Sequence, residues 1–268
     1  GIFPGTTHTS LGQEANAVGV LSHVLDEDII VSNHRGHGHF LAYGGDPAAL
    51  FAELMGKTTG VCGGVGGSQH LHWRNFYSSG VQGGTVAMAA GMALAEKRKD
   101  NDAIVFDFMG DGTLGEGIVY ECLNMISLWQ APILIVLENN HIAQTTPEPL
   151  AIAGSITARF EAFNIPTTAI DSSDILEIQP LAGQLVEKVR TTQSPQALVI
   201  ETARLGTHSK GDDTRDPATL ENLWQNRDPV AIQGARLKDD VRKSVDHEVE
   251  ETILSAFETA LEMEGGEE

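Results

Sequence analysis

Two apolar segments with a helix-length stretch between them constrain the fold of this chain most strongly. Residues 103–108 (AIVFDF) and 132–138 (PILIVLE) have the length of buried strands, and residues 115–129 have the length of a crossover helix. The same alternation continues with a strand, a helix and a strand at residues 167–171, 175–192 and 196–203. Strands that alternate with helices predict an α/β fold, in which a mostly parallel sheet carries helices on both faces.

The rest of the chain fits the same single unit. Helices are predicted at residues 13–24, 47–55 and 84–99, and a short strand ends the DEDIIVS segment at residues 26–32. Residues 56–73 have no apolar period and many glycines, which predicts a loop. We therefore predict one domain over residues 1–268, in which residues 217–264 form a helical C-terminal extension.

Composition narrows the classes of function. Lys and Arg total 17 against 37 Asp and Glu, a formal net charge of -20, so the chain should repel nucleic acid and anionic membranes. No apolar run reaches the roughly 18 residues that span a bilayer. Two cysteines do not make a disulfide framework, which favours the cytoplasm. The sequence begins at Gly1 inside an ongoing motif, and it leaves open whether a leader or a further helix precedes it.

Polar turns directly follow the two apolar segments. Asp111 lies in GDG after the first segment, and Asn140 lies in ENNH after the second. Carboxyl ends of parallel strands share one edge of a sheet, and a right-handed crossover can place these two turns side by side. Gly110 and Gly112 allow the backbone to approach an anion, and the helix expected from Gly115 offers N–H groups at its positive end. We therefore predict that these turns bind Mg²⁺ and an attached diphosphate, with a backbone carbonyl just past Asn140 as a further ligand.

Longer motifs resemble a known family. The segments are HTSLGQEA (8–15), SNHRGHGHFLAYG (32–44), GGVGGSQHLHWRNFYSSGVQGG (63–84), the stretch from GDGTLGEG to LENN (110–140) and ARLGTHSKGDD (203–213). In this order and spacing they resemble the alpha subunit of the thiamine-diphosphate-dependent 2-oxo acid dehydrogenases, which act on pyruvate, branched-chain 2-oxo acids or acetoin. The resemblance implies the diphosphate-binding type of thiamine-diphosphate fold, with thiamine diphosphate and Mg²⁺ as cofactors.

The resemblance also assigns the metal and diphosphate positions. The family's magnesium ligands fall on Asp111, the side chain of Asn140 and the carbonyl of Ile142. The diphosphate contacts fall on Arg35, and His34 stands beside it where relatives commonly have Tyr.

Other cofactor positions follow the motifs in order. Backbone groups of Gly80 and Gln82 match those that face the aminopyrimidine ring of the cofactor. Gly110 precedes the metal-binding aspartate, and Gly112 and Thr113 follow it.

Two histidines and one arginine complete the assignment. His8 and His208 match active-site histidines, which can hold a substrate carboxylate or shuttle protons because their pKa lies near neutrality. His208 also falls among the cofactor-binding positions, and Arg204 matches a phosphate-side arginine.

The resemblance further implies partners. In relatives the glutamate that activates the cofactor belongs to a beta subunit, so this chain should need such a partner in a two-plus-two heterotetramer. It could instead be the first half of a fused polypeptide. A lipoyl acyltransferase would then receive the acyl group.

Departures from the family pattern keep a second function open. Relatives often carry GDGAxNQG where this chain has GDGTLGEG, so an amide pair near the diphosphate is replaced. The first hypothesis is decarboxylation of a 2-oxo acid, or cleavage of acetoin, with acyl transfer to lipoyl. The second is a carboligase or transketolase-like transferase that passes the cofactor-bound fragment to an aldehyde or ketone. A third, less favoured, is a non-catalytic phosphate-binding module or scaffold.

Overall fold

A seven-stranded sheet organises the chain. The computed structural model describes residues 2–99, 101–209, 211 and 213–263. The strands are β1 (Ile29–Ser32), β2 (His72–Trp73), β3 (Phe76–Ser78), β4 (Val105–Gly110), β5 (Ile133–Asn139), β6 (Ile142–Ala143), β7 (Thr146–Pro147), β8 (Thr167–Asp171) and β9 (Gln196–Glu201). The order in the main sheet is β2-β3-β1-β4-β5-β9-β8, and β6 and β7 form a separate two-stranded hairpin.

Eleven helices are found in the described residues. They are α1 (Glu14–Leu21), α2 (His37–Ala42), α3 (Pro47–Leu54), α4 (Gln82–Lys99), α5 (Gly117–Trp129), α6 (Glu148–Ala151), α7 (Ile156–Glu161), α8 (Ile175–Thr192), α9 (Pro217–Arg227), α10 (Pro229–Gly234) and α11 (Asp239–Glu262). Within the part of the chain that the structure describes, none of them is long and apolar enough to cross a membrane.

The central strands pair in parallel, and this brings their carboxyl ends to one edge. β1, β4, β5 and β9 are consecutive parallel neighbours, whereas the short β2 pairs antiparallel with β3. At the ends of the strands Gly110 lies beside Glu138, and Asn139 lies beside Glu201. Near-continuous apolar sequence is typical of parallel strands covered on both faces, and every residue of β5 is buried.

Alternation along β5 divides the core into two layers. Ile133, Ile135 and Leu137 pack with apolar residues of α4 and α5. Leu134 and Val136 point to the opposite face and pack with α1 and α8. The predicted α/β class, with helices on both faces of a mostly parallel sheet, is therefore confirmed.

Most predicted elements lie where the pattern placed them, and the differences concern short elements. The strand at 167–171 and the helix at 175–192 have the predicted bounds. Residues 56–73 were predicted as loop, but His72–Trp73 form β2 against the unpredicted β3. The unpredicted α2, α6, α7 and the β6–β7 hairpin are likewise too short to show an apolar period.

The first turn after β4 also differs from the prediction. A 3₁₀ turn covers Asp111–Gly115, and α5 begins only at Gly117 rather than near Gly115. The N-terminus of α5 is thereby set back from Asp111 by one short turn.

The C-terminal extension is helical as predicted, but it is divided into α9, α10 and α11. The end of α11 is attached to the body, because Phe257 packs against Phe51 and Phe3, and the Lys57 ammonium donates to the carbonyls of Leu261 and Met263 at 2.7 Å. The last residue of the predicted extension, 264, lies outside the described residues. The assignment of residues 1–268 to one domain stays a prediction.

Asp107 is an unusual residue for the middle of β4. Both of its carboxylate oxygens are buried and have no hydrogen-bond partner among the described residues. Burial raises the pKa of Asp107 from 3.8 to about 7. The folded state therefore binds more protons than the unfolded state between these two values, and the contribution of Asp107 to stability falls as pH rises through that window.

Replacement of Asp107 with Val should raise the free energy of unfolding above pH 7 by on the order of 2 kcal/mol, because it removes a buried charge without a partner. Asp107→Asn should abolish the loss of stability with pH but give a smaller gain, since its amide stays unsatisfied. Denaturant unfolding across the window measures both effects. Identical pH dependence in wild type and Asp107→Asn would contradict the assigned pKa.

Candidate functional site

A cavity of about 280 Å³ opens at the carboxyl edge of β1, β4 and β5. This is the edge where ligands bind in open parallel sheets. The residues that line it are Gln13, Asn33, His34, Arg35, Gln82, Gly110, Asp111, Gly112, Thr113, Glu116, Glu138, Asn140, Ile142, Ala143, Gln144 and His208.

Asp111 and Asn140 meet in this cavity, each directly after its strand. The Asp111 carboxylate is buried, and burial raises its pKa to about 6, although hydrogen bonds from the backbone of Asp111 and Asn140 oppose the shift. The amide oxygen of Asn140 accepts the N–H of Ile142 at 3.2 Å, which fixes the turn. The Asp111 carboxylate and the Asn140 amide supply oxygen ligands of the kind that a hard divalent cation prefers. The charge of such a cation would offset the desolvation of the buried carboxylate.

Glycine is required at one position in this turn. A Cβ atom on Gly112 would lie 2.8 Å from the Cβ of Ala143 in β6, so the β6–β7 hairpin can approach the 3₁₀ turn only because the side chain is absent. At Gly110 a Cβ would meet nothing within 4 Å, which is consistent with open space beside the turn.

Two buried arginines supply positive charge near the same edge. Arg35 follows β1, and its Nη1 atom donates to the carbonyl of Thr9 at 2.8 Å. Burial, and then the nearby charge of Arg204, lower the pKa of Arg35 to about 10. Arg204 is also buried, and its Nη2 atom donates to the carbonyl of Gln144 at 3.0 Å. Two buried cations that repel each other fit an anionic ligand between or beside them.

Three histidine rings from separate segments form a cluster at the cavity wall. The ring centroid of His8 lies 4.9 Å from the centroid of His34 and 4.9 Å from the centroid of His208. The centroids of His34 and His208 are 5.3 Å apart. Burial, followed by the charge of Arg35, lowers the pKa of His34 to about 3, so this ring is neutral at physiological pH. The cluster can therefore donate and accept hydrogen bonds without adding a fixed charge at His34.

Comparisons with known proteins identify the family of this chain. The sequence model of the family described as "Dehydrogenase E1 component" matches residues 2–264. The chain belongs to this family. The resemblance to the alpha subunits of 2-oxo acid dehydrogenases is thereby confirmed.

Two relatives and one solved structure show how close the likeness is. The chain is 36% identical to the alpha subunit of acetoin:2,6-dichlorophenolindophenol oxidoreductase of Bacillus subtilis (strain 168), over 97% of this chain and 80% of that protein. It is 35% identical to the pyruvate dehydrogenase E1 component subunit alpha of Zymomonas mobilis, over 86% of this chain and 67% of that protein. A putative thiamin diphosphate-dependent enzyme from Mycobacterium smegmatis has a similar fold, with a TM-score of 0.51 and 15% identity, over 75% of this chain and 34% of that one.

Most positions assigned from the sequence line the cavity of this E1 chain. These are His34, Arg35, Gln82, Gly110, Asp111, Gly112, Thr113, Asn140, Ile142 and His208. His8, Gly80 and Arg204 are not among the lining residues, although His8 and Arg204 contact residues that are. His8 packs on two lining histidines, Arg204 binds the carbonyl of Gln144, and a Cβ on Gly80 would lie 1.9 Å from the Oε1 atom of Gln69.

Glu138 is a lining residue that sequence reasoning missed. Its buried carboxylate accepts from Asn16 at 3.0 Å and from Asn33 at 3.3 Å, and the Nε2 atom of His39 lies 3.6 Å away. Burial acts to raise the pKa of Glu138, but the charge of His39 and these hydrogen bonds outweigh it and lower the pKa. The sequence did contain a signal for Glu138, because a charged residue ends an apolar strand directly before the asparagine pair.

Glu116 was likewise missed and has a defined partner. Its Oε1 atom accepts the N–H of Gly83 in the first turn of α4 at 2.9 Å. This hydrogen bond joins the starts of α4 and α5 at the rim of the cavity. The side-chain amide of Gln82, the residue before Gly83, donates to the carbonyl of Ser79 at 3.1 Å.

Magnesium pyrophosphate should stabilise this chain against unfolding if the two arginines and Asp111 form a diphosphate site. Binding at 100 times the dissociation constant contributes about 2.7 kcal/mol, which a thermal shift detects. Arg35→Met should lose most of this shift, whereas Arg98→Met, on the exposed face of α4, should keep it. An equal shift in the two variants would exclude Arg35 as an anion ligand.

Proposed function

We propose that this chain is the alpha subunit of an E1 enzyme that uses thiamine diphosphate and Mg²⁺. The enzyme decarboxylates a 2-oxo acid or cleaves acetoin, and it transfers the acyl group to a lipoyl acceptor. The observation that carries the proposal is the convergence of the buried Asp111 carboxylate, the Asn140 amide and the Arg35 guanidinium on one cavity. Family membership and the names of the relatives supply the reaction class.

In this proposal the metal and the diphosphate share the turns after β4 and β5. Asp111, the Asn140 side chain and the carbonyl of Ile142 hold Mg²⁺. The backbone at Gly112 and Thr113 would bind the diphosphate, and the absence of a side chain on Gly112 allows Ala143 of the β6–β7 hairpin to pack against this turn. Since the protein as a whole is strongly acidic, the local donors and the metal must overcome a repulsive field.

The arginines and histidines at this cavity would also hold the diphosphate. Arg35 and Arg204 supply positive charge, and His34 and His208 add hydrogen bonds. The neutral ring of His34 replaces the phenol that relatives commonly have, so it can donate to a phosphate oxygen through one ring nitrogen. We also propose that backbone groups of Gly80 and Gln82 face the aminopyrimidine.

Bound thiamine diphosphate supplies the carbon nucleophile and the electron sink that decarboxylation requires. This chain's own residues bind and orient the reactants. His8 and His208, whose rings are in contact, hold the substrate carboxylate or move a proton at a ring nitrogen as the acyl group passes to its acceptor.

The activity requires a partner in this proposal. The chain is an alpha subunit by its relatives, and a beta subunit completes the site with the activating glutamate. We propose a two-plus-two heterotetramer, or a fused chain of equivalent composition, that works with a lipoyl acyltransferase. The low cysteine count supports a cytoplasmic location.

The carboligase alternative is not favoured. The relatives reported above are subunits of dehydrogenases or oxidoreductases. In the altered GDGTLGEG motif, Gly115 and Glu116 occupy the positions of the replaced amide pair, and the cavity-lining carboxylate of Glu116 accepts the N–H of Gly83.

Asp111→Ala should abolish Mg²⁺-dependent binding of thiamine diphosphate while the protein still unfolds cooperatively, because the Asp111 side chain is not part of the apolar core. Calorimetric titration measures the affinity, and thermal unfolding checks the fold. Asp26→Ala, which removes an exposed carboxylate, is the matched control and should bind as wild type does. Equal affinity in wild type and Asp111→Ala would remove the metal assignment.

The reaction itself is tested by co-purifying the chain with its beta partner and adding thiamine diphosphate and Mg²⁺. A panel of 2-oxo acids and acetoin should then support reduction of an artificial electron acceptor and acyl transfer to a lipoyl domain. Mass detection of acyloins forms the second readout. Acyloin formation without acyl transfer would assign the chain to the carboligases instead.

A further inference from the structure

Glu53, in the last turn of α3, has a buried carboxylate that accepts four backbone hydrogen bonds. Its Oε2 atom accepts the N–H groups of Cys62 at 2.7 Å and Gly64 at 2.9 Å. Its Oε1 atom accepts those of Gly66 at 2.7 Å and Gly67 at 2.9 Å. The side chain is fully buried, so a set of charge-assisted hydrogen bonds of this kind is needed to offset its desolvation.

The four donors belong to one glycine-rich loop, residues 60–67, that closes around this carboxylate. Gly63, Gly64 and Gly67 have φ angles of 68°, 77° and 57°, in the left-handed region. A Cβ on Gly64 would lie 2.5 Å from the carbonyl carbon of Gly56, and a Cβ on Gly60 would lie 2.5 Å from the Cα of Glu53. Both the backbone angles and the close packing therefore fit a loop that is shaped around an internal anion.

The loop leads directly to two residues that contact the histidine cluster. The hydroxyl of Ser68 accepts the N–H of His8 at 3.3 Å, and the carbonyl of Ser68 lies 2.9 Å from the Nε2 atom of His37. The Nε2 amide of Gln69 lies 3.4 Å from the Nδ1 atom of His8.

The contact with Gln69 has a consequence for His8. An amide NH₂ group only donates, so Nδ1 of His8 must accept, and the neutral ring then carries its proton on Nε2. Because His8 is itself buried and packed against His34 and His208, these contacts orient a ring that the proposed reaction uses.

We propose that Glu53 is a positioning residue: its carboxylate anchors residues 62–67, and this loop holds His8 in place through Ser68 and Gln69. The inference rests on the role that we propose for His8. It extends the active site to a residue of α3 that neither lines the cavity nor belongs to the motifs of the sequence.

Glu53→Gln tests the anchor in the complete complex with the beta subunit. The amide keeps the size of the side chain, but it leaves one oxygen and directs an NH₂ group at two N–H donors. Hydrogen exchange of the peptide that covers residues 62–67 should become on the order of tenfold faster. The turnover number with a 2-oxo acid should fall roughly 10- to 100-fold, because the ring of His8 is no longer held in its orientation.

Cofactor affinity separates a positioning role from a general loss of structure. Asp111, Asn140 and Arg35 lie on other turns, so calorimetric affinity for thiamine diphosphate with Mg²⁺ should stay within about twofold of wild type. Gln69→Met should reproduce the loss of turnover without faster exchange in residues 62–67, since it removes only the hydrogen bond between Gln69 and His8. Glu161→Gln, an exposed glutamate on α7, is the matched control and should change neither readout.

Each outcome decides one link. Unchanged exchange in Glu53→Gln would overturn the anchor, and wild-type turnover in Gln69→Met would overturn the connection to His8. If Glu53→Gln does not fold, Glu53→Asp and Gln69→Met carry the same test. A wild-type complex that is inactive with every 2-oxo acid and acetoin would reject the proposed function, and the positioning role with it, whereas exchange would still show whether the carboxylate anchors the loop.

Discussion

Parallel pairing of β4 with β5 is the constraint on which the site depends. Parallel strands end at the same edge, so the turns that follow them are neighbours even though α5 separates them in sequence. At that edge Gly110 lies beside Glu138, and the next residues are Asp111 and the asparagine pair. The backbone groups of those turns are released from the sheet ladder and become available to a ligand. The cavity is therefore a consequence of strand direction before any side chain is considered.

The charges around that cavity are separated rather than paired. Asp111 has a raised pKa and Arg35 has a lowered pKa, because both are buried away from water. Each would be stabilised by a ligand of opposite charge: a cation at Asp111 and an anion at Arg35. A metal diphosphate, the ligand that we propose for this cavity, has both charges in one group. Glu138 differs, since its asparagine and histidine neighbours compensate its burial within the protein.

Strong local patterns made much of this predictable. The apolar runs of β4, β5 and β9 and the long helices α4, α5 and α8 have enough residues for their period to appear. Their order along the chain predicted that Asp111 and Asn140 meet at one edge of the sheet, and both line the cavity. The one-turn helices, the two-residue strands and the 3₁₀ turn before α5 were not predicted, because tertiary contacts and not local propensity decide such elements. Glu53, Glu138 and Glu116 were missed for a related reason: each has backbone or side-chain partners that lie outside its own helix, strand or turn.

The sequence by itself determined the α/β class and the family, since these depend on residue identity and on the order of segments. Tertiary structure alone decided which residues face the cavity. It placed His8, His34 and His208 in ring contact from three separate segments, and it set Arg204 behind Gln144 rather than in the wall. It also enclosed Asp107 without a partner and gave Glu53 four partners. Burial and partner geometry set the energy of a charged group, and both are defined only once segments far apart in the chain have packed together.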